Sequence, residues 1–146
     1  MRAIYFDMDG TIANLYSNKN WLAHLENEKV YPYAHAKTLV PAGEFSKEIN
    51  RLQNNGVIIG IISWTSKGGS DSYNLRVRNA KMRWLHRNFP EIKWDEISVV
   101  NYGTPKSLCA TCENAVLFDD EERNRNEWNG IAYDVNHIME ILRSMN

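Results

Sequence analysis

Ala3-Ile4-Tyr5-Phe6-Asp7-Met8-Asp9-Gly10-Thr11 is the most informative stretch of this 146-residue chain. Four apolar residues, too few for a helix and rich in β-branched and aromatic types, read as a buried strand. Two carboxylates follow at once, two positions apart, at the strand's carboxyl end. Buried acids in such a place are costly unless they hold a cation or carry protons. Gly10 lets the backbone turn sharply where a ligand must come close.

Four more apolar runs, at Val57–Ile62, Ile97–Val100, Ala115–Phe118 and Ile131–Tyr133, have the same short, strand-like character. Helical spacing appears between them. Phe45, Ile49 and Leu52 form one stripe, stopped by Gly56. Leu75, Met82, Leu85 and Phe89 form a second, ended by Pro90, and Val135, Ile138, Met139 and Leu142 a third. Strands alternating with helices predict a doubly wound α/β fold: a five-stranded, mostly parallel, Rossmann-like sheet covered on both faces. Length and the lack of linkers predict one domain over 1–146, with 12–43 as an inserted flap or small cap carrying a short helix around Trp21–Glu28.

In such sheets ligands bind beyond the carboxyl ends of the strands. The second strand reads into Ser63, followed by Trp64, Thr65 and Ser66, where hydroxyls and free N–H groups suit phosphate oxygens. The fourth reads into Asp119 and Asp120, and Lys106 lies between the third and fourth. Acid, hydroxyl, lysine and acid form a set for a hard divalent metal and a phosphoryl group. Thr65 competes with Ser63 as the hydroxyl, and Lys67 with Lys106 as the cation. Asp120 belongs either to the site or to a solvated acidic run continued by Glu121 and Glu122.

The ordered set DMDGT, Ser63, Lys106 and LFDD (117–120) resembles the four signatures of the haloacid dehalogenase superfamily. The resemblance implies a phosphatase in which Asp7 is the nucleophile and Asp9 the general acid and base. It implies Mg²⁺ held by Asp7, Asp9 through its carbonyl, and Asp119, with Asp120 nearby. Ser63 and Lys106 would hold the phosphoryl oxygens, with Gly10, Thr11, Trp64 and Thr65 around the substrate. The second carboxylate, Asp9, marks the phosphatase rather than the dehalogenase branch. Lys81-Met82-Arg83-Trp84-Leu85 further resembles a K-x-x-W pattern of the 5′-deoxyribonucleotidases, against the plainer reading that Trp84 is core packing. A phosphotransferase, a small-metabolite or protein phosphatase on the same fold, and a catalytically silent binding protein are the competing functions.

Hydrophobic residues make up 43% and charged ones 24%, with a net charge of −1, so nothing global points to nucleic acid or membrane. A cytoplasmic location is expected. Cys109 and Cys112 lack the partners of a zinc site and are expected to be ordinary thiols. The expected partner is a phosphorylated substrate, either a nucleotide or a nucleic-acid end. A short cap predicts an open site, on which Trp21, Tyr31 and Trp64 can stack on a base. The run Arg76, Arg78, Lys81, Arg83 and Arg87 would then track a phosphate backbone, or simply form a solvated helix face.

Overall fold

The computed structural model describes residues 2–146. Five strands, β1 (Ala3–Phe6), β4 (Ile58–Trp64), β5 (Glu96–Val100), β6 (Val116–Phe118) and β7 (Ile131–Tyr133), form one parallel sheet in the order β5-β4-β1-β6-β7. The chain steps from β1 outward to β4 and β5, then returns past β1 to β6 and β7. Strand order therefore reverses at β1, which places Asp7 where doubly wound sheets open a crevice. A separate antiparallel pair, β2 (Ala13–Asn14) and β3 (Lys37–Thr38), closes the neck of the 12–43 segment. Between them lie a 3₁₀ turn at Leu15–Ser17, α1 (Trp21–Glu26) and α2 (Tyr31–Ala34).

Side chains of β1 alternate across the sheet, as a period of two requires. Ile4 and Phe6 face the larger core with α3 (Ala42–Asn54), α4 (Asp71–Asn88) and α6 (Ile138–Ser144). Ala3 and Tyr5 face a smaller one with Leu117 and Trp128, beside the 3₁₀ turn Lys106–Cys109 and α5 (Glu122–Glu127). Cys109 and Cys112 pack against this second cluster as free thiols. Phe45, Ile49 and Leu52 of α3 are fully buried, each worth about 1.5–3 kcal/mol in water-to-interior transfer. Gly56 ends that helix with a positive φ of 85°.

Two expectations from the sequence are corrected. The second strand runs past the apolar run and one residue beyond Ser63, its expected end. Ser63 and Trp64 continue the ladder, opposite Val99 and Val100 of β5, and Thr65 is the first residue beyond the strand. The apolar run ends early because a buried serine interrupts it, not because pairing does. In α4 the buried face is Tyr73, Val77, Ala80, Lys81, Trp84 and Leu85, whereas Leu75 (53% exposed) and Met82 (36%) face outward.

Candidate active site

The loop after β1 coils around one carbonyl. The N–H groups of Thr11, Ile12 and Ala13 all donate to the Met8 carbonyl, at 3.0, 3.0 and 2.9 Å, and Gly10 N–H donates to Ala13 O at 2.8 Å. Gly10 has φ +82°, and a Cβ there would lie 2.2 Å from Asp120 Oδ2. Glycine is thus required twice, by conformation and by the approach of an acid. Asp7 N–H bonds Phe118 O at 2.9 Å and Asp119 N–H bonds Tyr133 O at 3.1 Å, so sheet pairing itself fixes both acids.

Asp7, Asp119 and Asp120 each present an oxygen within 4.8 Å of the other two. Lys106 Nζ donates to Asp7 Oδ1 at 2.8 Å and to Asp119 Oδ2 at 2.7 Å, and is almost fully buried. Burial works against its charge, but Asp7 and Asp119 outweigh it and raise its pKa. Thr11 Oγ1 donates to Asp7 Oδ2 at 3.1 Å, Asn124 Nδ2 to Asp119 Oδ2 at 3.2 Å, and the Glu121 N–H to Asp119 Oδ1 at 2.9 Å. Burial and the nearby Asp7 push Asp119 up to about 6. Burial, then Asp7 and Asp119, push Asp120 up to about 8. Asp120 thus lies within the acid cluster, not out in a solvated loop.

A second lysine, which sequence reasoning placed in a surface run, is also at the site. Lys81 Nζ donates to Asp9 Oδ2 at 2.8 Å, to Ser63 Oγ at 2.7 Å and to Trp64 O at 2.7 Å, with the Tyr33 ring 4.9 Å away. The signal was the K-x-x-W spacing. Trp84 is core, donating Nε1–H to Ala36 O at 2.7 Å, and one turn before it Lys81 faces the carboxylates. Burial raises the pKa of Asp9, with Lys81 opposing and Asp7 assisting. Counting Asp7, Asp9, Asp119 and Asp120 against Lys81 and Lys106, the site carries four acids and two ammonium groups. Full ionisation leaves a surplus of two negative charges, matched by one divalent cation. The donors are all oxygens, the set a hard cation such as Mg²⁺ takes.

A cleft of about 450 Å³ opens at Asp7 and Asp9. Asp7, Asp9, Thr65 and Lys106 line it, together with the paired rings of Trp64 and Tyr102 and with Tyr16, Trp21, Leu22 and Leu25 of the 12–43 segment. The 12–43 segment thus walls one side of the cleft, whose mouth stays open to solvent. The segment is clasped to α4: Ser70 N–H and Oγ–H donate to the Glu28 carboxylate at 2.9 and 2.8 Å, and Tyr73 Oη–H to Lys29 O at 2.8 Å. Thr65 is 2% exposed, lines the cleft, and its Oγ1 has no hydrogen-bond partner. Ser63 does not line the cleft, and its hydroxyl is occupied by Lys81. Gly10 and Thr11 shape Asp120 and Asp7 from behind rather than lining the cleft. Lys67 sits at the rim, 5.8 Å from the Tyr102 ring.

Tyr31 stacks on His35 (centroids 4.3 Å apart) away from the cleft lining, so it is not a base-stacking wall. The basic run is free only in part: Arg83 is exposed, while the other members have partners or are buried. Arg76 reaches Glu28 O at 3.4 Å, Arg78 donates to Val99 O at 3.0 Å, Arg87 donates to Ala34 O, and Lys81 is buried. Among the described residues, no helix is long and apolar enough to cross a membrane.

No family model and no curated protein matches the chain. Solved structures share its fold. One is a D,D-heptose 1,7-bisphosphate phosphatase from Burkholderia thailandensis, with TM-score 0.56 and 13% identity over 99% of this chain and 100% of that one. Another belongs to a Pnkp1/Rnl/Hen1 complex, with TM-score 0.55 and 15% identity over 92% of this chain. This chain spans 45% of that longer one. At such identities the likeness is one of fold.

Proposed function

We propose, from this fold and the acid cluster at its switch point, that the chain is a Mg²⁺-dependent phosphomonoester hydrolase of the haloacid dehalogenase type. The observation that carries the reading is the cluster Asp7, Asp119 and Asp120, with Lys106 between two of its members, beside a cleft that Asp7, Asp9 and Lys106 line. Asp7, Asp119, Asp120 and the Asp9 carbonyl would hold the ion, which when bound offsets the charge of the phosphoryl oxygens. The 12–43 segment serves as a small cap on a single domain.

Asp7 attacks phosphorus in line; the ester P–O bond breaks as an aspartyl-phosphate forms. Asp9 gives its proton to the departing oxygen, then takes one from the water that attacks the phosphoryl group and frees Asp7. Lys106 lies along Asp7 and meets the charge that builds on the transferring oxygens. Thr65, rather than Ser63, offers the hydroxyl for a non-bridging oxygen, because its Oγ1 is the one left unpartnered in the cleft. The cleft's aromatic and aliphatic walls fit a flat leaving group, which favours a nucleotide.

The test is hydrolysis of p-nitrophenyl phosphate with and without Mg²⁺, and by Asp7→Asn. Turnover is expected to stop with chelator and to fall at least about a thousandfold in the variant, as when a nucleophile is removed. A folded Asp7→Asn protein with wild-type turnover would sink the proposal.

A further inference from the structure

We infer that Lys81 is a positioning residue for Asp9, fixing the carboxyl that moves the proton while making no contact with the phosphoryl group. The inference rests on the hydrolase reading above. An ammonium has three N–H donors. Those of Lys81 are all engaged, by Asp9 Oδ2, Ser63 Oγ and the Trp64 carbonyl, at 2.8, 2.7 and 2.7 Å. Its side chain is 2% exposed and does not line the cleft, whereas Lys106 does. No donor is left to point at a substrate.

The position of the ammonium is set by the core. Trp84, three residues on in α4, is fully buried and hydrogen-bonded to Ala36 O, so α4 cannot turn about its axis without breaking that contact. The Tyr33 ring closes the lysine's other side. Two of the three acceptors, Ser63 Oγ and Trp64 O, belong to β4, so Lys81 ties Asp9 to the sheet across a loop that would otherwise leave it free to rotate. With Oδ2 held, Asp9 Oδ1 is the oxygen that passes the proton to the ester oxygen as the P–O bond breaks. The same oxygen takes the proton back from water in the second half. The arrangement divides labour between two buried lysines: Lys106 lies with the nucleophile and the metal acids, and Lys81 with the proton carrier.

The experiment compares wild type, Lys81→Met and Ser63→Ala on p-nitrophenyl phosphate and on an alkyl phosphate, whose leaving group needs protonation. Binding of inorganic phosphate in Mg²⁺ is followed by calorimetry. For Lys81→Met, kcat on the alkyl ester should fall about a hundredfold or more and on the aryl ester about tenfold or less, the pattern of lost acid assistance. KM and phosphate affinity should stay within about threefold, since ground-state binding is untouched. Ser63→Ala, which removes one of the three anchors, should show the same selectivity on a smaller scale. It carries the test if circular dichroism shows Lys81→Met unfolded.

Phosphate affinity that drops in step with kcat in either variant overturns the inference, because Lys81 or Ser63 would then hold the phosphoryl group. Equal losses on the two esters, or no loss in a folded variant, overturn it as well. A wild type without Mg²⁺-dependent turnover removes the hydrolase reading and this inference with it; an active wild type with any of the other adverse results removes the inference alone.

Discussion

Asp119 and Asp120 hold protons that a free aspartate would have lost. Their values in the fold are about 6 and about 8, against about 3.9 in an unfolded chain. Between those limits the folded protein binds more protons than the unfolded one, so stability falls as pH rises from about 4 to about 8. A divalent cation reverses the penalty by stabilising the ionised carboxylates. In thermal melts, the metal-free protein should therefore lose stability over that range, and the rise in Tm given by Mg²⁺ should be larger at pH 8 than at pH 5. Asp120→Asn should flatten the metal-free slope and shrink the Mg²⁺ shift. A metal-free protein that grows more stable from pH 4 to pH 8 would contradict the charge surplus assigned to the site.

At the scale of elements, the strands were legible because their apolar runs are short, branched and separated by helical spacing. The acids after β1 and β6 were legible because a strand end leaves little doubt about where they point. Lys81 was not, because hydrophobic periodicity assigns a lysine to the wet face and cannot register an ammonium whose three donors are met inside. The same blindness put Leu75 and Met82 on the inner face of α4. Ser63 was placed one step too far out for a related reason: a serine closes an apolar run in the sequence but not a ladder in the sheet. The tie between the 12–43 segment and α4 was invisible too, since Glu28 and Ser70 lie 42 positions apart. Glu28→Ala removes that clasp at little cost to the core. It should raise KM about two- to fivefold, the scale of exposed charged contacts, with kcat nearly unchanged. Limited proteolysis should cut the 12–43 segment sooner. A variant with unaltered KM and cleavage would show that the clasp is idle.

For the whole molecule, the decisive feature is the cleft of about 450 Å³ walled on one side by the 12–43 segment. An open site would favour an oligonucleotide end, which gains backbone contacts that fade with salt. The wall that the 12–43 segment adds to the cleft, the burial of Lys81 and the backbone partners already held by Arg76, Arg78 and Arg87 weaken that advantage. A 5′-mononucleotide should therefore be hydrolysed at least about tenfold more efficiently, in kcat/KM, than the same phosphate on an oligonucleotide, with weak salt dependence, as expected when few phosphates are contacted. Competition assays at two salt concentrations measure both. Preference for the oligonucleotide, strengthened at low salt, would mean that the segment over the cleft swings aside.

Lys106 and Asp7 meet across 99 positions of chain, and Asp7 takes its backbone partner from β6. Nothing near Asp7 in sequence can complete the acid cluster of Asp7, Asp119 and Asp120, so an ion would have no site until the last inner strand has joined the sheet. Its binding energy would then arrive after the slow, non-local pairing is done, and would act on escape rather than on arrival. An ion bound there would be a bolt on a finished door: it would lengthen the lifetime of the folded chain and leave the speed of folding as the sheet alone sets it.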